Sequence, residues 1–321
     1  MIKQSSFKPA WWLPGAHAQT IWPGITRRRT DIYLAWERLE LPDQDFIDLV
    51  WTPVTVGPTV IVLHGLEGSL NSHYAKGILS AFHNKGWRAV LMHFRGCSGT
   101  HNRLARGYHS GDTGDLKYLI KLLRARYPKQ PLAATGYSLG GNVLLKYLGE
   151  CGKDSGLTAA TAVSVPFVLS RAADRLMRGY SRFYQHYLIR RIQQRVMDKF
   201  KDRNDAPFSI TDVPTWNNFH LFDNFVTAPL HGFSNSDEYY RLSSSRQYLK
   251  SIDTPTLIIH AENDPFLTPD AIPNETDLSE NVTLELSSDG GHAGFVSGKF
   301  PWRPRYWLEE RIPEFLSNYL T

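Results

Sequence analysis

Three residues of this 321-residue chain have the types and order that nucleophilic catalysis requires: Ser138, Asp264 and His292. A serine hydroxyl is a weak nucleophile. It needs a base to take its proton, and the base needs an acid to orient it and to stabilise its charged form. Ser138 stands in Gly136-Tyr137-Ser138-Leu139-Gly140. This G-x-S-x-G pattern holds a serine at the tip of a sharp turn from a strand into a helix. The turn brings the backbone at 136 and 140 close together, where side chains would clash, so glycine is needed at both. The helix N-terminus beneath the serine favours developing negative charge.

The elements around these residues follow from apolar patterning. Residues 131–135 read as a short buried strand and 142–148 as a helix, which is the context the serine turn requires. Residues 255–260 read as a buried strand that delivers Asp264 on the loop at its carboxyl end, where ligand chemistry collects in open α/β sheets. Residues 281–286 read as another strand, and His292 follows in Gly290-Gly291-His292. The competing acids are Glu262, Asp270 and Asp289; Glu262 comes two residues early, and Asp289 is very near His292 in sequence. The run Thr59-Val60-Ile61-Val62-Leu63 is continuous and β-branched, as in a central parallel strand. It ends in His64-Gly65-Leu66-Glu67-Gly68. With Ser138 in the same chain, this loop is expected to supply Leu66 N–H as a second oxyanion donor beside Leu139 N–H; the bland reading is a plain glycine-rich turn. His64, Tyr137 and Phe266 are expected to touch substrate. His17, His220 and His231 are further pocket candidates with a structural reading beside each.

The rest of the chain supplies the frame. Residues 1–30 form an aromatic arm in which Trp11, Trp12 and Trp22 flank His17-Ala18-Gln19-Thr20, with Arg27-Arg28-Arg29 after it. Its prolines and glycines argue against a long helix, and it is expected to wrap a hydrophobic edge. The alternation over 31–53 suits half-exposed edge strands, 88–94 reads as a further strand, and 74–85 and 112–127 read as helices. The α/β core is thus expected over 31–165 and 251–321. Between them, 166–250 breaks the strand–helix alternation and reads as a helical cap insertion. Its stretch 171–203 carries ten basic and three acidic residues on one long amphipathic pattern. That basic face reads first as a solvated surface; contact with a membrane surface is the sharper reading. The net charge is +5, but no nucleic-acid-binding motif or spacing accompanies it. No histidine or cysteine cluster has metal-ligand spacing, so neither metal nor cofactor is expected. Two cysteines, Cys97 and Cys151, make no disulfide framework. With no apolar run of signal or membrane-spanning length, the expected setting is cytoplasmic.

Taken together, the serine turn, His64-Gly65, Asn263-Asp264-Pro265-Phe266 and Gly290-Gly291-His292 resemble the α/β-hydrolase superfamily. More narrowly, His17-Ala18-Gln19-Thr20, Arg95-Gly96-Cys97, Thr227-Ala228-Pro229-Leu230-His231-Gly232-Phe233 and Tyr239-Tyr240 resemble the YheT-like esterases. The resemblance implies an eight-stranded, mostly parallel sheet with one antiparallel strand near its start and helices on both faces. It implies hydrolysis of carboxylic acyl esters by Ser138, His292 and Asp264 through an acyl-enzyme intermediate. The expected partner is a small-molecule ester with an apolar acyl group. An acyltransferase using an alcohol acceptor, or a binding protein on the same scaffold, are the alternatives.

Overall fold

The computed structural model describes residues 1–27, 32–53 and 56–320. Arg28 and Arg29 of the basic triplet, and Asp31 at the start of the expected edge strands, lie outside these residues. In chain order the regular elements are β1 (Ile2–Gln4), α1 (Ala16–Thr26), β2 (Ala35–Glu40), β3 (Phe46–Trp51), β4 (Thr59–Leu63), α2 (Ala75–Asn84), β5 (Arg88–Met92), α3 (Gly114–Arg126), β6 (Leu132–Tyr137), α4 (Leu139–Cys151) and β7 (Ala159–Val163). Then come helices α5 (Leu169–Leu176), α6 (Ser181–Phe200), α7 (Phe219–Phe222), α8 (Ala228–His231) and α9 (Ser236–Ser243). The chain closes with β8 (Thr256–Ala261), β9 (Val282–Ser287), a hairpin of β10 (Val296–Phe300) and β11 (Arg303–Tyr306), and α10 (Leu308–Ser317).

Nine strands pair in the order β1-β9-β8-β7-β6-β4-β5-β3-β2, one more than expected. The additional strand is β1, which adds in parallel to the β9 edge. Only β3 runs against the others: it is antiparallel to both β2 and β5. The central strands are buried on both faces, which is why their sequences are unbroken apolar or small-residue runs. The period of two still shows in where each side chain goes. Ile61 and Leu63 pack with Leu116, Leu119, Val143 and Leu144 of α3 and α4. Val60 and Val62 pack with Ile78, Phe82, Leu308 and Ile312 of α2 and α10 on the other face. Each such fully buried aliphatic side chain contributes about 1.5–3 kcal/mol.

This order also places the chemistry. From β4 the chain proceeds to β5 on one side, and from β6 to β7 on the other. The carboxyl ends of β4 and β6 therefore flank a topological switch point, where open sheets form their crevice. The loops after β4, β6, β8 and β9 carry Leu66, Ser138, Asp264 and His292, all at that edge.

One expected element comes out differently, and the arm adds a short one. The long helix over 171–203 is two helices. The chain breaks after α5 at Gly179, whose φ of 53° is left-handed, and restarts at Ser181. The N-terminal arm does contain a helix, α1, of eleven residues with Pro23 inside it. Proline there removes the bond to the Gln19 carbonyl. The chain at Gly294 lies so close that an added Cβ would collide with that same carbonyl. Helices α5 to α9 gather a cluster of their own around Leu176, Ile192, Val196, Val213 and Tyr239, with Leu66 and Phe266 from the sheet loops against it.

Candidate active site

The turn between β6 and α4 is as tight as the glycines require. Ser138 has φ 52° and ψ −119°, a conformation that costs a non-glycine residue about 1–3 kcal/mol and is kept where its surroundings enforce it. A Cβ on Gly136 would collide with the Gly140 carbonyl, and one on Gly140 would lie 2.5 Å from the His64 carbonyl oxygen. Ser138 N–H extends the sheet ladder by donating to the Val163 carbonyl at 2.8 Å. The hydroxyl is thereby fixed at the strand end above the first turn of α4.

His292 and Asp264 meet it. His292 Nε2 lies 2.9 Å from Ser138 Oγ, and Nδ1 lies 2.8 Å from Asp264 Oδ2. An ionised carboxylate only accepts, so Nδ1 carries the proton and Nε2 is left to accept from the serine hydroxyl. Asp264 is buried, and its other oxygen accepts from Phe266 N–H at 2.9 Å. The competing acids are elsewhere. Glu262 and Asp270 are exposed, and Asp289 accepts from Asn263 Nδ2 at 2.9 Å.

The loop bearing His292 is held from three directions. His292 N–H donates to Thr20 Oγ1, Ala293 N–H to Ser164 Oγ, and Gly291 N–H to Asn263 Oδ1. Gln19, fully buried, donates from Nε2 to the Leu13 and Val296 carbonyls and accepts Val296 N–H at 2.7 Å. The stretch His17-Ala18-Gln19-Thr20 is thus a brace for the histidine loop. Sequence reasoning flagged the stretch but not this role. Of its tryptophans, Trp12 and Trp22 pack with Leu13 and Val296, away from the cavity, and Trp11 is exposed. His17 touches the helical segment instead, 3.0 Å from the Tyr184 hydroxyl. Burial, and then Arg175, lower its pKa.

Around Ser138 lies a cavity of about 90 Å³. Leu66, Leu139, Phe266 and His292 line it from the sheet loops; Leu169, Ala173, Leu176, Leu188 and Phe219 line it from the helical segment. Phe266 lies flat on the His292 ring, with centroids 4.0 Å apart and planes at 17°. Leu66 and Leu139 N–H have no hydrogen-bond partner among the described residues. Their neighbours do: Gly65 N–H donates to the Tyr74 hydroxyl and Glu67 N–H to the Tyr108 hydroxyl. A Cβ on Gly65 would stand 3.2 Å from Ser138 Cβ, so this loop abuts the serine directly.

Two expected substrate contacts are not at the cavity. His64 is fully buried; its Nδ1 pairs with the Gly65 carbonyl at 2.8 Å and its Nε2 accepts Phe94 N–H at 3.1 Å. Burial lowers its pKa to about 3, so it is neutral and fastens the loop. Tyr137 is fully buried and stacks on Tyr74 with centroids 4.0 Å apart. The residue types alone did not distinguish a side chain under the sheet edge from one above it. His220 pairs with Asp174 and His231 packs on His109; neither lines the cavity. Among the described residues no three His, Cys, Asp or Glu side chains are grouped to hold a metal ion.

Helix α6 reaches both loops of the site. At its start Ser181 Oγ donates to the Pro265 carbonyl at 2.6 Å, next to Asp264. Further along, Arg191 donates to the Glu67 carbonyl at 3.0 Å, and Arg195 Nε donates to Glu67 Oε1 at 2.8 Å, next to Leu66. Lys199 is buried against Asn102 Oδ1 and the Ala105 and Arg106 carbonyls, and burial lowers its pKa to about 7. The basic face is thus partly turned inward.

A family model for the alpha/beta hydrolase fold matches residues 58–299. The chain belongs to that family. YheT of Escherichia coli (strain K12) is 40% identical over 321 residues, spanning 98% of this chain and 94% of YheT. Phospholipase ABHD3 of Mus musculus is 28% identical over 315 residues, spanning 95% and 77%. Among solved structures, the Pyrococcus furiosus esterase Pf2001 superposes with a TM-score of 0.58 at 17% identity, covering 90% of this chain and 94% of that one; this likeness concerns the fold. No helix among the described residues of this hydrolase-family chain is long and apolar enough to cross a membrane.

Proposed function

We propose that this chain is a serine carboxylic-ester hydrolase. The observation that carries the reading is the continuous hydrogen-bonded line from Asp264 through His292 to the strained Ser138. His292 Nε2 takes the Ser138 proton as Oγ attacks the ester carbonyl, and Asp264 stabilises the imidazolium. The tetrahedral oxyanion is received by Leu66 and Leu139 N–H; one such donor is typically worth about 3 kcal/mol. His292 then protonates the departing alcohol, and the same base activates the water that releases the acyl group.

Residues 166–250 act as the cap over this site, with 1–30 as the arm that braces the histidine loop. The apolar side chains that α5, α6 and α7 present to the cavity suit an acyl chain, and its small volume suits a short one. The phospholipase name of ABHD3 agrees with an acyl-ester substrate. Cys97 and Cys151 are unpaired, which agrees with a cytoplasmic setting.

A p-nitrophenyl ester series from acetate to palmitate tests this, with Ser138→Ala as control. Hydrolysis is expected to favour the short esters and to vanish in the variant. Turnover at the wild-type rate in Ser138→Ala would remove the assignment.

A further inference from the structure

The cavity holds a second carboxylate that ester hydrolysis does not use. Asp223 lines it together with Ser138, yet comes from the helical segment, in a one-turn π-helix (Asp223–Thr227) between α7 and α8. Single π-turns of this kind recur at functional sites. The side chain is buried, and the groups that hold it are neutral: Thr227 Oγ1 donates to Oδ1 at 2.6 Å and the Tyr240 hydroxyl to Oδ2 at 2.8 Å. No lysine or arginine pairs with it among the described residues. Buried carboxylates ordinarily have such a partner, because desolvation penalises the bare charge. Burial raises its pKa to about 6, so near neutral pH it is still mostly ionised. Two donors leave acceptor capacity on both oxygens.

We propose that Asp223 is a substrate-binding residue that accepts a hydrogen bond from a free hydroxyl on the alcohol part of the ester. The inference rests on the hydrolase reading above. The lining divides by origin in a way that fits an amphiphilic ester. Helix α5 contributes Leu169, Ala173 and Leu176, whereas the π-turn and α9 contribute Asp223 and Tyr240. A neutral donor is favoured over a cation. Helix α6, which reaches over the loops of the site, carries Arg182, Arg190 and Arg191 with no acidic partner among the described residues, beyond Arg195, which Glu67 neutralises. That field repels a positively charged ester on approach.

The test compares kcat/KM for glycerol monobutyrate, propyl butyrate and butyrylcholine in wild type and in Asp223→Asn. Asparagine retains the shape and one acceptor for Tyr240. Wild type is expected to prefer the glycerol ester over the propyl ester by about tenfold or more, the scale of a hydrogen bond to a charged group. That ratio is expected to collapse towards one in Asp223→Asn. A wild-type ratio near one, a ratio that survives in Asp223→Asn, or a preference for butyrylcholine that the variant loses would each overturn the proposal. If wild type hydrolyses none of the esters, the hydrolase reading fails separately. Calorimetric binding of the glycerol and propyl esters to Ser138→Ala, with and without Asp223→Asn, still decides the role of Asp223: selectivity lost with the carboxylate supports it, and equal binding of both esters overturns it.

Discussion

Asp264 and Asp223 are both buried carboxylates of one site, and they differ in what holds them. Asp264 sits on a loop at the end of β8, fixed by a backbone N–H and facing the histidine that faces the serine. Asp223 sits in the irregular middle of the helical segment, held by two hydroxyls. The first is placed by regular structure, since parallel strands deliver their following loops to one edge. The second is placed by the packing of short helices whose order in space no simple period records. In the proposed reaction, the acid aimed at a titratable partner orients the base. An acid given only neutral donors has capacity left for something that enters the cavity.

The sharpest way to break this comparison is to neutralise each acid on an ester without a free hydroxyl. Asp264→Asn is expected to lower kcat by about four orders of magnitude, or about 5 kcal/mol of barrier, by misorienting His292. Asp223→Asn is expected to fall far short of that on the same ester. Equal losses, measured by initial rates on p-nitrophenyl butyrate, would erase the distinction.

The next effect concerns stability. Gln19→Ala leaves the Leu13 carbonyl and Val296 N–H without their buried partner. A loss of about 2–4 kcal/mol is expected in denaturant unfolding, with reduced kcat because the brace for the histidine loop loosens. A silent Gln19→Ala would mean that α1 merely covers an edge.

A smaller effect tests whether the helical segment supports the sheet's half of the site. Arg195→Met leaves Glu67 without its buried cation beside the Leu66 loop. A ten- to hundredfold fall in kcat with little change in KM is expected, somewhat less than removal of an oxyanion donor. Glu67→Gln in the same protein should restore part of it. A change confined to KM would place the ion pair in substrate binding.

The smallest effect is the pH dependence of stability. Asp223 has a folded pKa of about 6, above that of the unfolded chain. Between about pH 4 and pH 6 the folded state therefore binds more protons than the unfolded state, and stability falls as pH rises through that window. Asp223→Asn removes the cost. Its Tm is expected to gain on wild type from pH 4 to pH 7, by the equivalent of roughly 1–3 kcal/mol. A constant difference across that range would mean the carboxylate is not desolvated in solution.

The same contrast explains what could be read from the residues. Strands β4, β5, β6 and β8 were legible because runs buried on both faces need largely continuous apolar or small residues, and the candidate residues Ser138, Asp264 and His292 were legible because loops after parallel strands share an edge. In the arm, Pro14, Gly15, Pro23 and Gly24 argue only against a long helix; α1, which starts after Gly15 and carries Pro23 inside it, is eleven residues long and left no clear periodic signal. The break at Gly179 was visible only as one glycine in a strong helical pattern. His64 and Tyr137 adjoin site residues in sequence but point beneath the edge. Asp223 had a faint signal: an acid among Phe219, Phe222 and Phe225 with no lysine or arginine one helical turn away, only His220.

The most direct measurement is mass spectrometry after labelling with a fluorophosphonate, which esterifies a serine only when a base activates it. One adduct per chain on the peptide containing Ser138, abolished in a folded His292→Ala variant, is the expected result. Unlabelled wild-type protein, or an adduct on any other residue, would contradict the account.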